Sequence, residues 1–562
     1  MRIIKARCRA ARLAGIILTL FAGGASQGWC ADTTNAPSSA DLLLNLFVKK
    51  GFVTQQEAEQ VEAEAQSLNT NEAPMPPMPS SQWIISKAVK NVGLFGDVRL
   101  RYEDRSAADP AGNTIDLQRM RYAVRVGLRG DLFDDFYYGF RMDTGVNPRS
   151  SFVTLGTSAS GGPYQGPFGK SNGGLNIGLV YLGWRPWNWL DVTVGKMPNP
   201  LYTTPMVWSG NLNPEGFAEH FQYTVGPADF FATFGQFLYA DLNPDFASAN
   251  LGIGFLPGQS AGAGAFGGGQ QTDNIFLFAW QGGFNYHFTT NVSAKVAATL
   301  YNYIGLQASS ATTAESPYFG DPYIGEGAYY YYAGTSGVHP APGYSGYAPG
   351  QVFNGGSSTG GYGSVGFPFN QVGLDHLLVL ELPFELNFKI SRLDARVFGD
   401  FAYNLEGGQR AEAAANAYQT ILATEVQPNG DAVATNFPAQ THDVKAYQIG
   451  FEIGSQDSLG LVNGTPSRKH SWELETYWQH IEQYSLDPNL LDSDFFEGRE
   501  NMEGVYVALA YGLTDNLIAT FRYGHANRIN NLLGTGGSNQ DIPQINPINA
   551  FDIYQLDFTF KF

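Results

Sequence analysis

The stretch "LFGDVRLRYED" (94–104) alternates with a period of two: Leu94, Val98, Leu100 and Tyr102 fall on one side, Asp97, Arg99, Arg101 and Glu103 on the other. A second stretch, "RMRYAVRVGLR" (119–129), repeats the pattern, with Met120, Tyr122, Val124, Val126 and Leu128 opposite Arg119, Arg121, Arg125 and Arg129. Each reads as a β-strand with one oily face and one ionic face. Such alternation fits a soluble sandwich as well as a barrel, so connection lengths have to separate the two.

Working outward, strands are expected near 92–104, 117–129, 134–143, 174–185, 188–197, 217–224, 229–240, 273–288, 291–303, 372–383, 391–404, 443–454, 469–482, 502–512, 516–527 and 549–562. Short connections such as "GDLFD", "RPWNW", "GPAD", "FTTN" and "GLTDN" alternate with long ones near 144–173, 241–272, 304–371, 405–442 and 528–548. Two intended short turns are looser, a modest 384–390 and a long 455–468. A soluble sandwich has no reason to sort loop length by parity, whereas an outer-membrane barrel has short turns at one end and long loops at the other. The fold class is therefore all-β, a transmembrane antiparallel β-barrel of about 16 strands.

A Lys or Arg facing lipid at the bilayer midplane costs roughly 2–4 kcal/mol, so the arginine faces must point inward. The same rule turns Asp394, Arg396 and Asp400 of "LDARVFGDFAY" to the lumen, along with Glu473 and Glu475 of "SWELETYW". It also explains the terminal stripe of "FDIYQLDFTFKF". Tyr554, Leu556, Phe558, Phe560 and Phe562 face lipid while the last strand pairs with the first and removes the sheet's edges.

Composition agrees: 14% aromatic residues, 67 Gly and only 15% charged residues favour strands and turns over charged helix surface. Residues 1–31 read as a secretory leader, with Arg2, Lys5, Arg7, Arg9 and Arg12 ahead of "IILTLFAGGA" and a cleavage point between Ala25 and Asp32. Cleavage after Ala31 removes Cys8 and Cys30, which excludes disulfides and thiolate metal sites. The leader's five basic residues subtract from 33 Lys and Arg to leave 28 against 51 Asp and Glu, a net −23 that disfavours nucleic acid as a partner. Residues 32–72 read as a short helical segment, periplasmic in location, with a capping box at Thr54 and Glu57. A Pro-rich linker follows over 73–89, and the barrel occupies 90–562.

The stretch "LDVTVGKMPNPLYTTPMVWSGNLNPEGFAEHF" resembles the putative porin family of bacterial outer membranes. The likeness rests on its Gly-Lys-Met strand end, its "NP", the Trp208 segment and "NLNPEG" (211–216). The two opening strands and "DSDFFEGRENMEGVYVALAYGLTDN" support it, and "LLNLFVKKGFVTQQEAE" resembles the N-terminal extension of phosphate-selective porins. The resemblance implies an outer-membrane channel for ions and small hydrophilic solutes in a diderm bacterium. No functional residues are carried over with it.

The candidate pore lining is led by Arg99, Arg101, Arg119, Arg121, Arg125, Arg129 and Arg141, a basic wall that would favour anions. The competing reading pairs these residues with Asp97, Glu103 and Asp143 so that they merely tile a wet interior. Asp97, Asp394, Arg396, Asp400, Glu473 and Glu475 complete the candidate lining. The Pro-rich "NPLYTTPMVWSGNLNPEGF" is the candidate constriction, with a plain external loop as the alternative.

No catalysis, cofactor or metal is expected. "GSSTG" (356–360) matches a nucleophile elbow only formally, the histidines lack ligand spacing, and "DSDFFEGRE" near Asp492 reads as a solvated acidic loop. Expected partners are outer-membrane lipid, small solutes or ions, the outer-membrane insertion machinery, which reads terminal aromatics such as Phe562, and other copies in a homotrimer. A different class of function, a structural or adhesive barrel whose loops bind outside partners, stays open.

Overall fold

The computed structural model describes residues 88–108, 112, 114–145, 150–156, 174–240, 275–304, 376–424, 438–465, 468–535, 542 and 548–562. All belong to one compact unit, Ser86–Phe562. The leader, the 32–72 segment, nearly all of the linker and "GSSTG" lie outside the described residues.

Period-two alternation becomes ladder pairing around a closed sheet of sixteen antiparallel staves. They are β1 (Gly93–Ala108), β2 (Thr114–Asp131), β3 (Phe136–Thr144), β4 (Leu175–Trp187), β5 (Leu190–Lys196), β6 (Glu215–Val225), β7 (Ala228–Ala240) and β8 (Ile275–Thr289). The circle continues with β9 (Val292–Ile304), β10 (Leu378–Glu381 and Phe384–Ile390), β11 (Leu393–Asn404), β12 (Lys445–Ser455), β13 (Trp472–Ile481), β14 (Met502–Gly512), β15 (Leu517–Arg528) and β16 (Ala550–Lys561). A two-residue piece, Val153–Thr154, pairs with β2 at Arg121 and Tyr122 as an appendage rather than a stave. Closure is a continuous antiparallel register from Asp97 opposite Lys561 to Ala108 opposite Ala550. Gly96 and Phe562 then exchange backbone bonds of 3.0 and 3.1 Å, so neither terminal strand leaves an open edge.

The tenth stave departs from expectation. The apolar run ending at Leu382 suggests a strand over 372–383 with a turn at 384–390, yet pairing continues to Ile390 and the turn shrinks to residues 391–392. Pro383 explains the misreading: it has no N–H to donate, so the ladder breaks there and resumes at Phe384. Its carbonyl still accepts from Ala297 at 3.1 Å, and Leu382 donates to Phe401 at 2.8 Å, which holds the stave together across the break.

Face selection follows the cost of charge in lipid. Leu94, Leu100 and Met120 point outward at 62, 53 and 59% exposure, while Arg101, Glu103 and Arg121 on the alternate positions are at most 8% exposed. Phe558, Phe560 and Phe562 are exposed on the outer face, and Gln555, Asp557 and Thr559 are buried inside. A band of large exposed apolar groups this extensive belongs in hydrocarbon. Glu219 breaks the rule: it shares the outward face with Phe217 and Phe221 and is offset by a 2.9 Å hydrogen bond from Gln236.

Between β11 and β12 a helix, α1 (Gly407–Thr424), crosses the long-loop end. Its Ala-rich sequence favours helix, and Ala411 and Ala414 pack with Val444, Tyr484 and Leu533 in a small buried cluster. The reading of 405–442 as a plain long loop missed it.

The lumen as candidate functional site

Among the described residues, connections 197–214, 482–501 and 456–464 turn inward and fill much of the barrel, with Phe152 and Ile542 added from two others. The first, residues 197–214 after β5, buries Met197, Met206, Val207 and Trp208 to between 1 and 5% exposure. Its Thr203 hydroxyl donates to Glu381 at 2.5 Å, Thr204 to Asp400 at 2.6 Å, and its Tyr202 backbone bonds Gln281 in both directions at 2.8 and 2.7 Å. This is the segment that the prolines mark as a candidate constriction. Residues 482–501, after β13, meet it: Ser209 N donates to Leu490 O at 2.7 Å and Asp492 N to Pro205 O at 3.2 Å.

"DSDFFEGRE" therefore lies inside the barrel rather than on an exposed loop. Phe495 and Phe496 are buried at 3 and 1%. Phe496, Glu497 and Gly498 run through left-handed φ of 63, 57 and 65°, a costly course for the two non-glycine residues. Their surroundings hold them there, since Gly498 N donates to Asp492 O at 2.9 Å and Glu497 accepts from Arg105 at 3.4 Å and Arg499 at 3.2 Å. In this connection burial and the neighbouring Asp494 push the Asp492 carboxyl up to about 6. Asp494 goes the other way, to about 2, because Arg101 and Arg105 outweigh its burial. The third insert enters from the short-turn end. Within residues 456–464, Gly460 and Val462 donate their N–H groups to Glu473 at 2.7 Å each, and Asp457 N donates to Asp394 at 2.6 Å.

The arginine face is paired. Asp97 bridges Arg99 and Arg125 at 2.6 Å each, and Arg141 meets Asp143 at 2.7 Å. Glu103 collects Arg119 at 2.6 Å, Arg105 at 3.1 Å and Arg121 at 3.8 Å. Arg101 reaches Asp557 at 2.7 Å and Asp494 at 2.9 Å while lying 4.1 Å over the Phe152 ring. Arg396 joins Glu385 at 3.1 Å and also Glu452. Arg129 is exposed and stands apart from these pairs, 5.1 Å over Phe95.

Sequence reasoning missed a second wall, on the short-turn half of β3 to β10, where inward groups such as Tyr137, Asp191, Lys295 and Glu385 are half-buried rather than sealed by the inserts. Tyr137 and Tyr181 lie over Gly183 and Gly139 of the paired strand, positions where a Cβ would collide with the ring. Tyr137 donates to Asp191 at 2.5 Å, and Arg185 lies 4.0 Å over the Tyr137 ring. A cavity of about 370 Å³, lined in part by Arg129, Asp131, Tyr137, Tyr181 and Arg185, opens at the short-turn end. Further round, the Lys295 ammonium sits 3.8 Å over Tyr202 and 5.3 Å over Phe231, with no ion pair among the described residues. Only the inward parity of Lys295 could have flagged it in the sequence.

The profile of the family described as "Putative porin" matches residues 105–321 and 374–562. Comparison with curated proteins returns no match. Among solved structures, Pseudomonas aeruginosa OpdQ is similar at 9% identity and TM-score 0.35, covering 85% of this chain and 99% of its own. The anion-selective porin from Comamonas acidovorans aligns at 7% identity and TM-score 0.35, covering 84 and 99%. A Rh. blastica porin mutant gives 7% and 0.33, covering 84 and 100%. With the profile covering most of a closed, charge-lined barrel, the chain belongs to the putative porin family of outer-membrane proteins.

Proposed function

We propose that the barrel is a passive diffusion channel for ions and small hydrophilic solutes, with its aqueous route displaced toward the β3 to β10 wall. The observation that carries this reading is the asymmetry of burial inside the barrel. In the long-loop half the inserts seal both walls, Thr233, Gln281, Thr299 and Glu381 included. Toward the short-turn end the inward residues of β12 to β16 and β1 stay mostly sealed, whereas Tyr137, Asp191, His220, Phe231, Lys295 and Glu385 keep partial exposure. In this reading the long loops face outside the cell and the N-terminal segment lies in the periplasm.

Charge preference follows from which cations a passing solute meets. Most of the arginine face is already neutralised by carboxylates within 4 Å, and an ion-paired wall attracts anions weakly. Lys295 and Arg129 hold rings rather than acids, and they are the groups assigned to any anion preference. Planar-bilayer recording tests both claims. Stepwise conductance is expected, and its absence would favour a structural or adhesive barrel. Lys295→Gln should move the reversal potential in a salt gradient toward cations more than the triple Arg119, Arg121, Arg125→Gln variant does. The opposite ranking would return selectivity to the arginine face.

A further inference from the structure

Strands β12 and β13 bring together three glutamates that no ligand-spacing motif would connect. Glu452, Glu473 and Glu475 are 1, 0 and 6% exposed, and one carboxylate oxygen from each lies within 4.8 Å of the other two. Glu473 accepts the N–H groups of Gly460 and Val462, and among the described residues Glu475 takes only a long 3.5 Å bond from Asn463. Glu452 Oε1 accepts from Arg396, but its Oε2 is buried and accepts no hydrogen bond from any described residue.

Positive charge nearby is already committed. Arg396 is shared with Glu385 at 3.1 Å, and Arg522 serves Asp557 and the Val462 carbonyl, the latter at 3.0 Å. Three buried carboxylates facing one shared guanidinium repel one another unless a further cation or protons stand between them. The orphaned Glu452 oxygen is a lone-pair donor with nothing to donate to, which is what a metal ligand looks like before its ion is considered.

All three donors are hard oxygens, so the fitting ion is a hard divalent cation. Calcium binds oxygens at about 2.3–2.6 Å, which places ligands on opposite sides of the ion up to roughly 5 Å apart; magnesium would need them within about 4 Å. Separations all within 4.8 Å fit calcium, whose adaptable coordination also suits carboxylates held on strands rather than at octahedral corners. We propose that Glu452, Glu473 and Glu475 form a calcium site that fastens the 456–464 insert to the barrel wall. Glu473 is the link, since it would hold the ion while accepting the insert's backbone. Water completes the coordination.

The test uses the full chain refolded into detergent free of lipopolysaccharide, stripped with EGTA and titrated with terbium. Tyr477, two residues from Glu475 on the same face, sensitises the luminescence. A saturable signal displaced by calcium is expected, together with a calcium-dependent rise of several degrees in the temperature at which the folded gel band is lost. Glu452→Gln and, separately, Glu475→Gln should each weaken binding tenfold or more while circular dichroism and the folded band stay unchanged. Glu475 has the weaker protein contact, so its variant guards against misfolding of the other. No saturable signal, or one equal in wild type and both variants and so due to an adventitious ion only, would overturn the proposal.

Discussion

Arg101 Nε donates to Asp557 Oδ1 at 2.7 Å across the seam where β1 and β16 stand in register. The same guanidinium reaches Asp494 of the 482–501 insert at 2.9 Å, and Arg522 shares Asp557 from the other side. Asp557→Ala takes the paired carboxylate from Arg522 and leaves Arg101 with Asp494 and Glu103, so a loss of about 3 kcal/mol is expected. It would be read as a lower urea midpoint for tryptophan-monitored unfolding in detergent. A loss below about 1 kcal/mol would show that the seam does not depend on this pair.

Deleting residues 203–213 removes Trp208, which is 5% exposed and packs against Phe237 and Tyr301. It also removes the Thr203 and Thr204 ties to Glu381 and Asp400. Single-channel conductance should rise. An unchanged value would place the narrowest point elsewhere.

Asp492 titrates high when folded, at about 6, against an ordinary aspartate near 3.9 when unfolded. Between those values the folded state binds more protons, so stability rises as pH falls from 6 toward 4 and is flat above that window. Thermal unfolding followed from pH 7 to pH 4.5 should show this gain in wild type and a smaller gain in Asp492→Asn. A profile identical in both would remove Asp492 as its source.

Truncation after Asp557 leaves Asp97, Val98, Arg99 and Leu100 without their β16 partners. The truncated chain should fail to give a heat-modifiable band even when refolded in detergent, because an open edge remains. Phe562→Ala keeps the backbone bonds to Gly96 and should refold normally. If its assembly in cells nevertheless falls, the terminal ring acts as a signal to the insertion machinery. Equal assembly in cells would confine Phe562 to an ordinary lipid-facing role.

Much of the fold was legible because lipid punishes register errors: a one-residue slip would turn Arg99 and Arg101 outward and Val98 and Leu100 inward. The strand pattern was misplaced chiefly where Pro383 interrupts it, and α1 was hidden because its Ala-rich run lies inside a long connection between two strands, where loop length rather than helix propensity guided the reading. The interior was less readable. Parity can say that Arg101 points inward, but its partners Asp494 and Asp557 lie 393 and 456 residues away. An insert that folds back into a barrel has no period to announce it. "DSDFFEGRE" has the composition of a solvated loop and nonetheless packs two phenylalanines and an arginine–glutamate pair out of water.

The double commitment of Arg101 bears on the order of assembly. Its two strong partners belong to the last strand and to the 482–501 insert, both made late in the chain. A cylinder that zipped shut before the insert was seated would trap a guanidinium with half its counter-charge missing. Seating the insert and sealing the wall are thereby energetically coupled, because each supplies a carboxylate to the same buried guanidinium.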